Sequence, residues 1–434
     1  MSATESGPIT SATSGAGPAP VADRILALDA VRGFALFGIL VVNVLGISGL
    51  RAFAIDETSA VEPVLRQVVQ IFFQGKFVSL FSILFGISFF LLLDRLHTKN
   101  ASVFPRYWRR LAILFVFGMV HVLIQPGEVL MPYALCGALL LVFYRMPWKI
   151  VLAAAILLMV APHLQTAWAT SIAMNQTTAE APAPMEDTTE DDGWEREVLP
   201  GRSWDPYDGP DAVRVHAKGS LAEVVAYSRD FTLDRWATSW VGYLWITVPL
   251  QLMMVGLLVG RSGVLRQVED RKRLFQVTCW GGLAAGLGLY WLTMPVYAWA
   301  STGGWNPWIG LVGNILFVMS ALVLALAYGA AVLLLFQRDT FRKLLAPLGA
   351  VGRMALTNYL LQTVATVWLF WGIGLGWYGR FGAGAVEIIA VVVFALLAAF
   401  SIIWLRYFLY GPVEWLWRCG TYWQLLPLKK SAAG

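Results

Sequence analysis

Long apolar runs, separated by polar connections, follow one another from residue 25 almost to the end of the chain. Most are about 18 to 25 residues long, which is the length of a helix that crosses a hydrocarbon layer of roughly 30 Å. The pattern therefore predicts an all-α fold, a polytopic membrane helical bundle of about ten transmembrane helices. These are predicted at residues 25–49, 67–93, 107–124, 127–145, 147–170, 237–260, 274–298, 309–336, 354–374 and 384–409.

The composition supports a membrane location. Of the 434 residues, 58% are hydrophobic and only 14% are charged, whereas a soluble domain carries roughly 25% charged residues. The three cysteines have no paired spacing, which argues against a disulfide framework or a Cys-rich metal site. We expect no metal.

The basic residues alternate between connections, and this alternation predicts the topology. Residues 93–110 carry five Lys/Arg and residues 261–273 carry another five, while residues 299–308 carry none. Short basic connections stay in the cytoplasm, so both termini are predicted to be cytoplasmic, in a bacterial inner (plasma) membrane. The net charge of +5 is thereby explained without nucleic acid.

The chain divides by composition into five parts. The long connection is acidic, with fourteen Asp/Glu in residues 174–236, and is predicted to lie outside the cell. Its second part, from residue 220, has helical periodicity that suits either an interfacial helix or a packing helix. The parts are a disordered polar tail (1–23), helices 1–5 (24–170), the acidic extracytoplasmic loop (171–236), helices 6–10 (237–410) and a cytoplasmic tail (411–434).

Charged and amide side chains within apolar spans are costly and therefore indicate function. In the first span Asp29 and Arg32 are three residues apart and can pair on a helix. Asn43 follows Arg32 by eleven residues, which places it on nearly the same face, about 16 Å further out. The alternative is that Asp29 and Arg32 only anchor the helix end among lipid headgroups.

The third span repeats this spacing, because Arg110 and His121 are also eleven residues apart. An imidazole with a carboxylate beside it can act as a general base. Glu128 and Tyr133 on the next span are the candidate neighbours of His121. A histidine that only packs in the bundle is the alternative.

Two further groups of polar residues lie at span ends. Gln74 and Lys76 are predicted at the outer end of the second span. In the ninth span, Arg353 and Thr357 are four residues apart, as are Asn358 and Gln362. Hydrogen bonding between helices explains these stripes equally well. The chain has no Walker loop, and its G-x-G-x-x-G run at residues 374–379 follows an apolar span instead of a strand, so an ATPase or redox enzyme is not indicated.

Five motifs together resemble YeiB-like membrane proteins, a group defined by a domain of unknown function. The resemblance covers nearly the whole chain from residue 24. The motifs are L-D-x-x-R-G-x-A-L from Leu28 with a downstream V-N ending at Asn43, F-x-x-L-F-S-x-L-F-G at Phe77 to Gly86, R-R-L with G-x-x-H at Arg109 to His121, G-R-M-A-L-T-N-Y-L-x-Q at Gly352 to Gln362, and G-P-x-E-W-L-W-R at Gly411 to Arg418.

The YeiB-like group in turn resembles a branch of the transmembrane acyltransferase superfamily, whose members pass an acyl group from cytosolic acyl-CoA to a sugar or other acceptor. The resemblance implies that Asn43 matches an active-site asparagine of the lysosomal member that acetylates heparan sulfate. The catalytic histidine of that enzyme has Ala54 at the matching position of this chain. We therefore expect His121 to replace it.

The sequence thus favours a membrane-embedded acyltransferase that uses acyl-CoA, in particular acetyl-CoA, as its donor. The predicted partners are the lipid bilayer and a small-molecule or carbohydrate acceptor, with no nucleic acid and with homodimer formation left open. A secondary transporter of a small metabolite and a scaffold without chemistry are the alternatives. The expected roles are catalysis by His121, Asn43 and Glu128, donor binding by Arg32, Asp29, Arg109, Arg110, Arg353 and Asn358, and acceptor binding by Gln74, Lys76 and Tyr133.

Overall fold

The computed structural model describes residues 26–53, 59–98, 103–176, 205–238, 240–301 and 306–430. Within these residues the regular elements are helices, accompanied by an isolated bridge between Phe408 and Lys429. The predicted polar tail and residues 177–204 of the acidic loop lie outside the described residues. The all-α prediction is confirmed.

The helices follow the predicted spans in order. Four of the described helices lie mainly outside the predicted spans, namely α7 and α8 in the acidic loop, α12 between the eighth and ninth spans, and α15 in the C-terminal tail. In chain order they are α1 (Leu26–Ile47), α2 (Glu62–Phe72), α3 (Lys76–Thr98), α4 (Val103–Val122), α5 (Leu130–Phe143), α6 (Trp148–Gln176), α7 (Pro210–Lys218), α8 (Leu221–Thr238), α9 (Trp240–Arg261), α10 (Lys272–Ser301), α11 (Pro307–Phe336), α12 (Asp339–Arg353), α13 (Ala355–Phe370), α14 (Ala383–Tyr407) and α15 (Pro412–Tyr422).

Six spans of the described chain are long and apolar enough to cross a membrane. A seventh is gained if α12 and α13, which meet at a bend of 84°, count as one broken span. The chain is therefore a multi-pass membrane protein, and the figure of ten spans stays a prediction. The six are Leu26–Ile47, Glu62–Arg95, Trp148–Ile172, Leu244–Arg261, Pro307–Phe336 and Ala383–Tyr407.

Helix α1 lies at the centre of the bundle, where it contacts α3, α11, α12, α13 and α14. Its closest crossing is with α12, because a Cβ atom on Gly33 would overlap the carbonyl of Leu348 and one on Gly352 would overlap that of Asp29. These glycines let the two backbones touch, as small residues do between membrane helices. Following the predicted topology, we call the Arg32 end of α1 the inner end and the Ile47 end the outer end.

Residues 205–218 form a cap on the outer end of the bundle. Asp205, Tyr207 and Asp208 are buried, as is His216 on α7. Helix α8 follows, and its buried face contacts α4 and α9 while Leu233 remains exposed. The second half of the acidic connection therefore packs against α4 and α9, and its place along the membrane interface stays a prediction.

Candidate functional site

Five buried polar residues meet at the outer end, and we call them the outer polar cluster. Its members come from the end of α4, the turn between α4 and α5, and the middle of α13. All five are nearly inaccessible to solvent, and the core around them is mainly apolar. The members are His121, Gln125, Glu128, Tyr359 and Thr363.

The predicted pair of His121 and Glu128 lies within this cluster. The Nδ1 atom of His121 is 4.0 Å from Oε1 of Glu128. The carboxylate also accepts hydrogen bonds from the backbone amides of Leu130 and Met131, the latter at 3.0 Å. Because these amides begin α5 and have no helical partner, Glu128 stabilises the helix start. The carboxylate thus has a structural role and is also beside the imidazole.

Tyr359 packs against the imidazole of His121, with 5.1 Å between the ring centroids. Neither nitrogen of His121 has a hydrogen-bond partner among the described residues, and the Tyr359 hydroxyl makes no hydrogen bond of good geometry there, although the backbone amide of Val129 lies near it. Tyr359 and Tyr133 lie within electrostatic range of each other and of Glu128. Buried polar groups normally have partners, so these free groups can accept a polar ligand or water.

The cap closes the outer polar cluster from the outside. The hydroxyl of Tyr207 lies beside Gly127 and Gln125 in the α4–α5 turn. Arg51 pairs with Asp205 at the start of the cap, at 3.4 Å. It also donates a hydrogen bond of 3.0 Å to the carbonyl of Val42 on α1 and so ties the cap to that helix. Gln125 in turn accepts a hydrogen bond from Thr363. The cap and α13 are therefore joined through the α4–α5 turn.

His216 fixes the cap on the end of α13. Its ring lies 4.3 Å from that of Trp371, centroid to centroid, and is surrounded by Tyr207, Tyr227 and Tyr378. The carbonyl of His216 also accepts a hydrogen bond of 2.9 Å from the amide of Gly372. Burial lowers the pKa of His216 from 6.5 to about 3, because an apolar site disfavours the charged imidazole. The residue is therefore neutral at physiological pH.

At the inner end, guanidinium groups from three helices come near one another. Arg32 pairs with Asp29 and donates a hydrogen bond of 2.8 Å to Ser88 on α3. Arg110 lies over the ring of Trp417 at 3.7 Å, and it interacts electrostatically with Arg32 and Arg418. The predicted pairing of Asp29 with Arg32 is thus present, and the structure adds Arg418 to the group.

Helix α15 is tied to the inner end by its own polar side chains. Trp417 donates its indole N–H to the carbonyl of Arg110 at 2.8 Å. Glu414 accepts hydrogen bonds from the amides of Leu356 and Thr357 and from the Thr357 hydroxyl. Desolvation raises the pKa of Glu414. The carboxylate therefore caps α13 where the chain breaks after α12.

Three of the predicted donor-binding residues have different environments from Arg32 and Arg110. Asn358 donates to the carbonyl of Val351 and to Ser401, which is a link between helices. Arg353 has a buried Nε atom without a partner among the described residues. Arg109 donates to the carbonyl of Pro105 on the exposed side of α4. Of these three residues, only Asn358 and Arg353 have polar atoms buried inside the bundle.

The predicted acceptor-binding residues do not share one location. Lys76 is fully buried, and its Nζ atom lies 4.8 Å from the ring centroid of Tyr290 and 5.0 Å from that of Phe317. Tyr133 instead shares a hydrogen bond of 2.6 Å with Ser82. The backbone amide of Gln74 donates a hydrogen bond to the carbonyl of Val69. Tyr133 alone among these three predicted residues lies near Glu128.

Asn43 is half-buried on α1. The described contacts do not join it to His121. Helix α13, which carries Tyr359, does contact α1. The placement of Asn43 in the active site accordingly remains a prediction.

The sequence did not reveal several residues that complete the polar groups at the outer and inner ends of the bundle. Tyr359 and Thr363 lie on α13 next to the predicted polar stripes, but aromatic and hydroxyl residues carry no charge that would mark them. Gln125 and Tyr207 come from connections whose docking no periodicity reveals. For Glu414 the spacing to Arg418 suggests a local pair, whereas the carboxylate bonds to α13. The described residues also contain no group of three or more His, Cys, Asp or Glu arranged for a metal ion.

Comparison with known proteins gives a consistent result. The profile described as "Protein of unknown function (DUF418)" matches residues 259–424. The chain is 29% identical to the uncharacterized protein YxaH of Bacillus subtilis, over 94% of this chain and 97% of the relative. It is 30% identical to an uncharacterized 39.9 kDa protein from the amylase 3' region of Bacillus acidopullulyticus, over 96% and 99%. The uncharacterized protein YeiB of Escherichia coli is 27% identical, over 91% and 96%. No solved structure matches.

Proposed function

This chain belongs to the YeiB-like DUF418 family, and from that premise we propose that it is a membrane-embedded acyltransferase. It moves an acyl group, in the simplest case acetyl, from cytosolic acyl-CoA to a hydroxyl or amine of a sugar or small metabolite. The observation that carries the proposal is the buried pair of His121 and Glu128, 4.0 Å apart at the outer end of α4. The same helix carries Arg110 near its inner end.

In the proposed reaction His121 is the general base. A nitrogen of its imidazole takes the proton of the acceptor as the acceptor oxygen or nitrogen attacks the thioester carbonyl. The carbon–sulfur bond then breaks, and the CoA thiolate leaves with a proton as the thiol. Glu128 orients the imidazole and stabilises its charged form. The Asn43 amide donates to the carbonyl oxygen while that oxygen carries negative charge.

Tyr133 and Tyr359 are the phenols that surround this base. Both lie within electrostatic range of Glu128, and the Tyr359 hydroxyl makes no hydrogen bond of good geometry in the described chain. A phenol both donates and accepts a hydrogen bond. The proposal therefore assigns Tyr359, together with the predicted Tyr133, to the acceptor side.

The donor enters from the inner end. Arg32, Arg110 and Arg353 offer guanidinium forks, which suit phosphate oxygens, and Asp29 orients Arg32. Eleven residues of α4 separate Arg110 from His121, which is about 16 Å along a helix. This is a suitable distance for the pantetheine arm of CoA to bridge.

The proposal includes the finer topology. The chain crosses a bacterial inner membrane ten times, so both termini lie on the same side. The basic connections make this the cytoplasmic side. The helices α4, α5, α10 and α13 then cross the membrane in addition to the six spans that are apolar enough by themselves. A shorter span such as α5, with 14 residues, is tolerated because α4 and α9 pack against it and shield its ends from lipid.

The test is turnover of radiolabelled acetyl-CoA by the purified full-length protein in nanodiscs, with a panel of amino sugars and polyols as acceptors. The variant His121→Ala is expected to lose about 100-fold or more of the turnover, because general-base catalysis typically contributes that much. The matched control is His163→Ala, which removes another buried histidine, on α6. Full activity of His121→Ala, or no turnover by the wild-type protein, refutes the proposal.

A secondary transporter is the second candidate, and the bend between α12 and α13 is the observation that favours it. Transporters commonly bind substrates at broken helices, and this break has an angle of 84°. However, Glu414 already occupies the amides of Leu356 and Thr357. Uptake of labelled acceptors into proteoliposomes without acetyl-CoA would favour the transporter.

A further inference from the structure

Helix α15 forms one wall of a basic group at the inner end. Trp417 bonds to the backbone of α4 at Arg110, and the Arg110 guanidinium lies over the Trp417 ring. Gly420 packs against Ile113 one turn further along α4. Glu414 anchors the start of α15 to α13. The position of Arg418, on the last turns of α15, is therefore set relative to α4.

The charge of this group is unbalanced. Arg110 interacts electrostatically with both Arg418 and Arg32. Among the described residues, Asp29 forms its ion pair with Arg32, and the Glu414 carboxylate accepts hydrogen bonds from α13. No carboxylate of the described chain forms a salt bridge with Arg110 or Arg418. Like charges held this close repel each other, so the arrangement is suited to an anion that joins them.

Guanidinium donors near the group also lack partners. Arg106 lies one turn before Arg110 on α4, and its Nη1 atom is buried without a hydrogen-bond partner within the described residues. The buried Nε atom of Arg353, at the break that Glu414 caps, is likewise unpartnered there. A buried donor without a partner is costly. An anion with several acceptor oxygens would satisfy such donors together.

From this charge and these donors we propose that Arg32, Arg110 and Arg418 form a phosphate-binding site, with the C-terminal helix α15 as its wall. A phosphate group matches the requirement because its oxygens accept several guanidinium hydrogen bonds at once. Arg418, which the donor site above did not include, is the residue that completes it. The ring of Tyr410, 4.6 Å from the Arg418 guanidinium carbon, holds that side chain in place.

Two sources can supply this phosphate. One is a free phosphate ester in the cytosol, and its identity as the acyl-CoA donor rests on the proposed function. The other is the headgroup of an inner-leaflet lipid, since basic residues at this membrane depth attract anionic lipids. The chemistry of the site is the same for both, and the experiment separates them.

The experiment uses the full-length protein in phosphatidylcholine nanodiscs, with inorganic pyrophosphate and CoA as probes in titration calorimetry. The variants Arg418→Gln and Arg110→Gln are expected to weaken binding at least tenfold. The matched control is Arg342→Gln, on the exposed face of α12 at the same end, where the arginine pairs with Asp339. Native mass spectrometry in nanodiscs with added phosphatidylglycerol reports retained lipid.

Loss of pyrophosphate binding in Arg418→Gln but not in Arg342→Gln supports the site with a free phosphate as its ligand. Absent pyrophosphate binding, with phosphatidylglycerol retained by wild type and Arg342→Gln but lost from Arg418→Gln, supports it with a lipid. Equal behaviour of Arg418→Gln and Arg342→Gln in both assays overturns it. Should Arg418→Gln not remain monodisperse, Arg418→Lys decides by the same comparison, with a smaller loss expected because charge is kept.

Turnover of labelled acetyl-CoA by the same variants separates this site from the proposed enzyme. Pyrophosphate binding without any turnover keeps the phosphate site and removes the acyltransferase. Turnover by Arg418→Gln with an unchanged KM for acetyl-CoA and unchanged lipid retention keeps the acyltransferase and removes the site.

Discussion

The hydroxyl of Thr357 donates a hydrogen bond of 2.5 Å to the carboxylate of Glu414, 57 residues further along the chain. The same carboxylate accepts from the backbone amides of Leu356 and Thr357. These amides open α13 and have no partner within the helix. The Glu414 side chain thereby provides a hydrogen-bond acceptor for the free amides at the start of α13, after the bend that follows α12. It also couples the C-terminal helix to the bundle.

Removal of this carboxylate is expected to destabilise the fold. Glu414→Ala leaves the amides and the Thr357 hydroxyl without their acceptor, at a cost of about 1–3 kcal/mol. Glu414→Gln should lose less, because its amide oxygen still accepts. The measurement is the thermal midpoint in detergent, with Glu269→Ala, on an exposed connection, as control. Equal midpoints for wild type and Glu414→Ala contradict this role.

Two substitutions of Tyr359 separate the packing role of its ring from the chemical role of its hydroxyl. Its hydroxyl makes no hydrogen bond of good geometry in the described chain and has only the Val129 amide near it, so Tyr359→Phe should change the free energy of unfolding by less than about 1 kcal/mol. Tyr359→Ala leaves a cavity and should cost about 3–5 kcal/mol. If the phenol acts on the acceptor side, Tyr359→Phe also raises the KM for the acceptor. Denaturant unfolding and steady-state kinetics on the same preparations test both statements.

The cap is expected to loosen in acid through His216. Its pKa is about 3 when the cap is closed, against 6.5 when the imidazole is exposed, so protonation favours the open cap. Closure is therefore at full strength above pH 6.5 and weakens as the pH falls toward 3. At pH 5 the loss is about 2 kcal/mol, from 1.36 kcal/mol for each pKa unit.

Hydrogen exchange of residues 205–218 at pH 7.5 and pH 5 measures this loosening. His216→Phe keeps a ring in the cage and removes the titration, so its exchange should depend less on pH. The other titratable groups of this region are the phenols of Tyr207, Tyr227 and Tyr378, the carboxylates of Asp205, Asp208, Asp211 and Glu223, and the cations Arg51, Arg214 and Lys218. Of these, Arg51 pairs with Asp205 and Arg214 pairs with Glu223. An equal pH dependence in His216→Phe assigns the effect to those carboxylates and contradicts the prediction.

The crossing of α1 and α12 should not tolerate a methyl group. Gly352→Ala places a Cβ atom against the carbonyl of Asp29, and the helices must separate, which disturbs the pairing of Asp29 with Arg32. Gly349→Ala is the matched control on the same helix, since its Cβ atom would meet nothing within 4 Å. We expect a low yield of monodisperse protein for Gly352→Ala alone. Similar yields for both variants would contradict the crossing.

The sequence by itself determined the features that depend on neighbours along the chain. Each predicted span overlaps a helix because an apolar run of that length can satisfy its backbone only as a helix in lipid. The pairing of Asp29 with Arg32 followed from a separation of three residues, which puts both on one helix face. His121 and Glu128 were likewise within reach of each other, since only a turn separates α4 from α5.

Only the tertiary structure decided which distant groups meet. Tyr359 joins His121, Glu414 joins Thr357, and His216 joins Trp371 across separations that no periodicity encodes. Lys76 shows the limit most clearly. Its position near a span end predicted an acceptor site, whereas its ammonium group donates a hydrogen bond of 2.9 Å to the carbonyl of Gln70 and lies near rings of α10 and α11. The physical reason is that a polar residue in a span demands a partner, but the packing of helices in three dimensions chooses which partner it obtains.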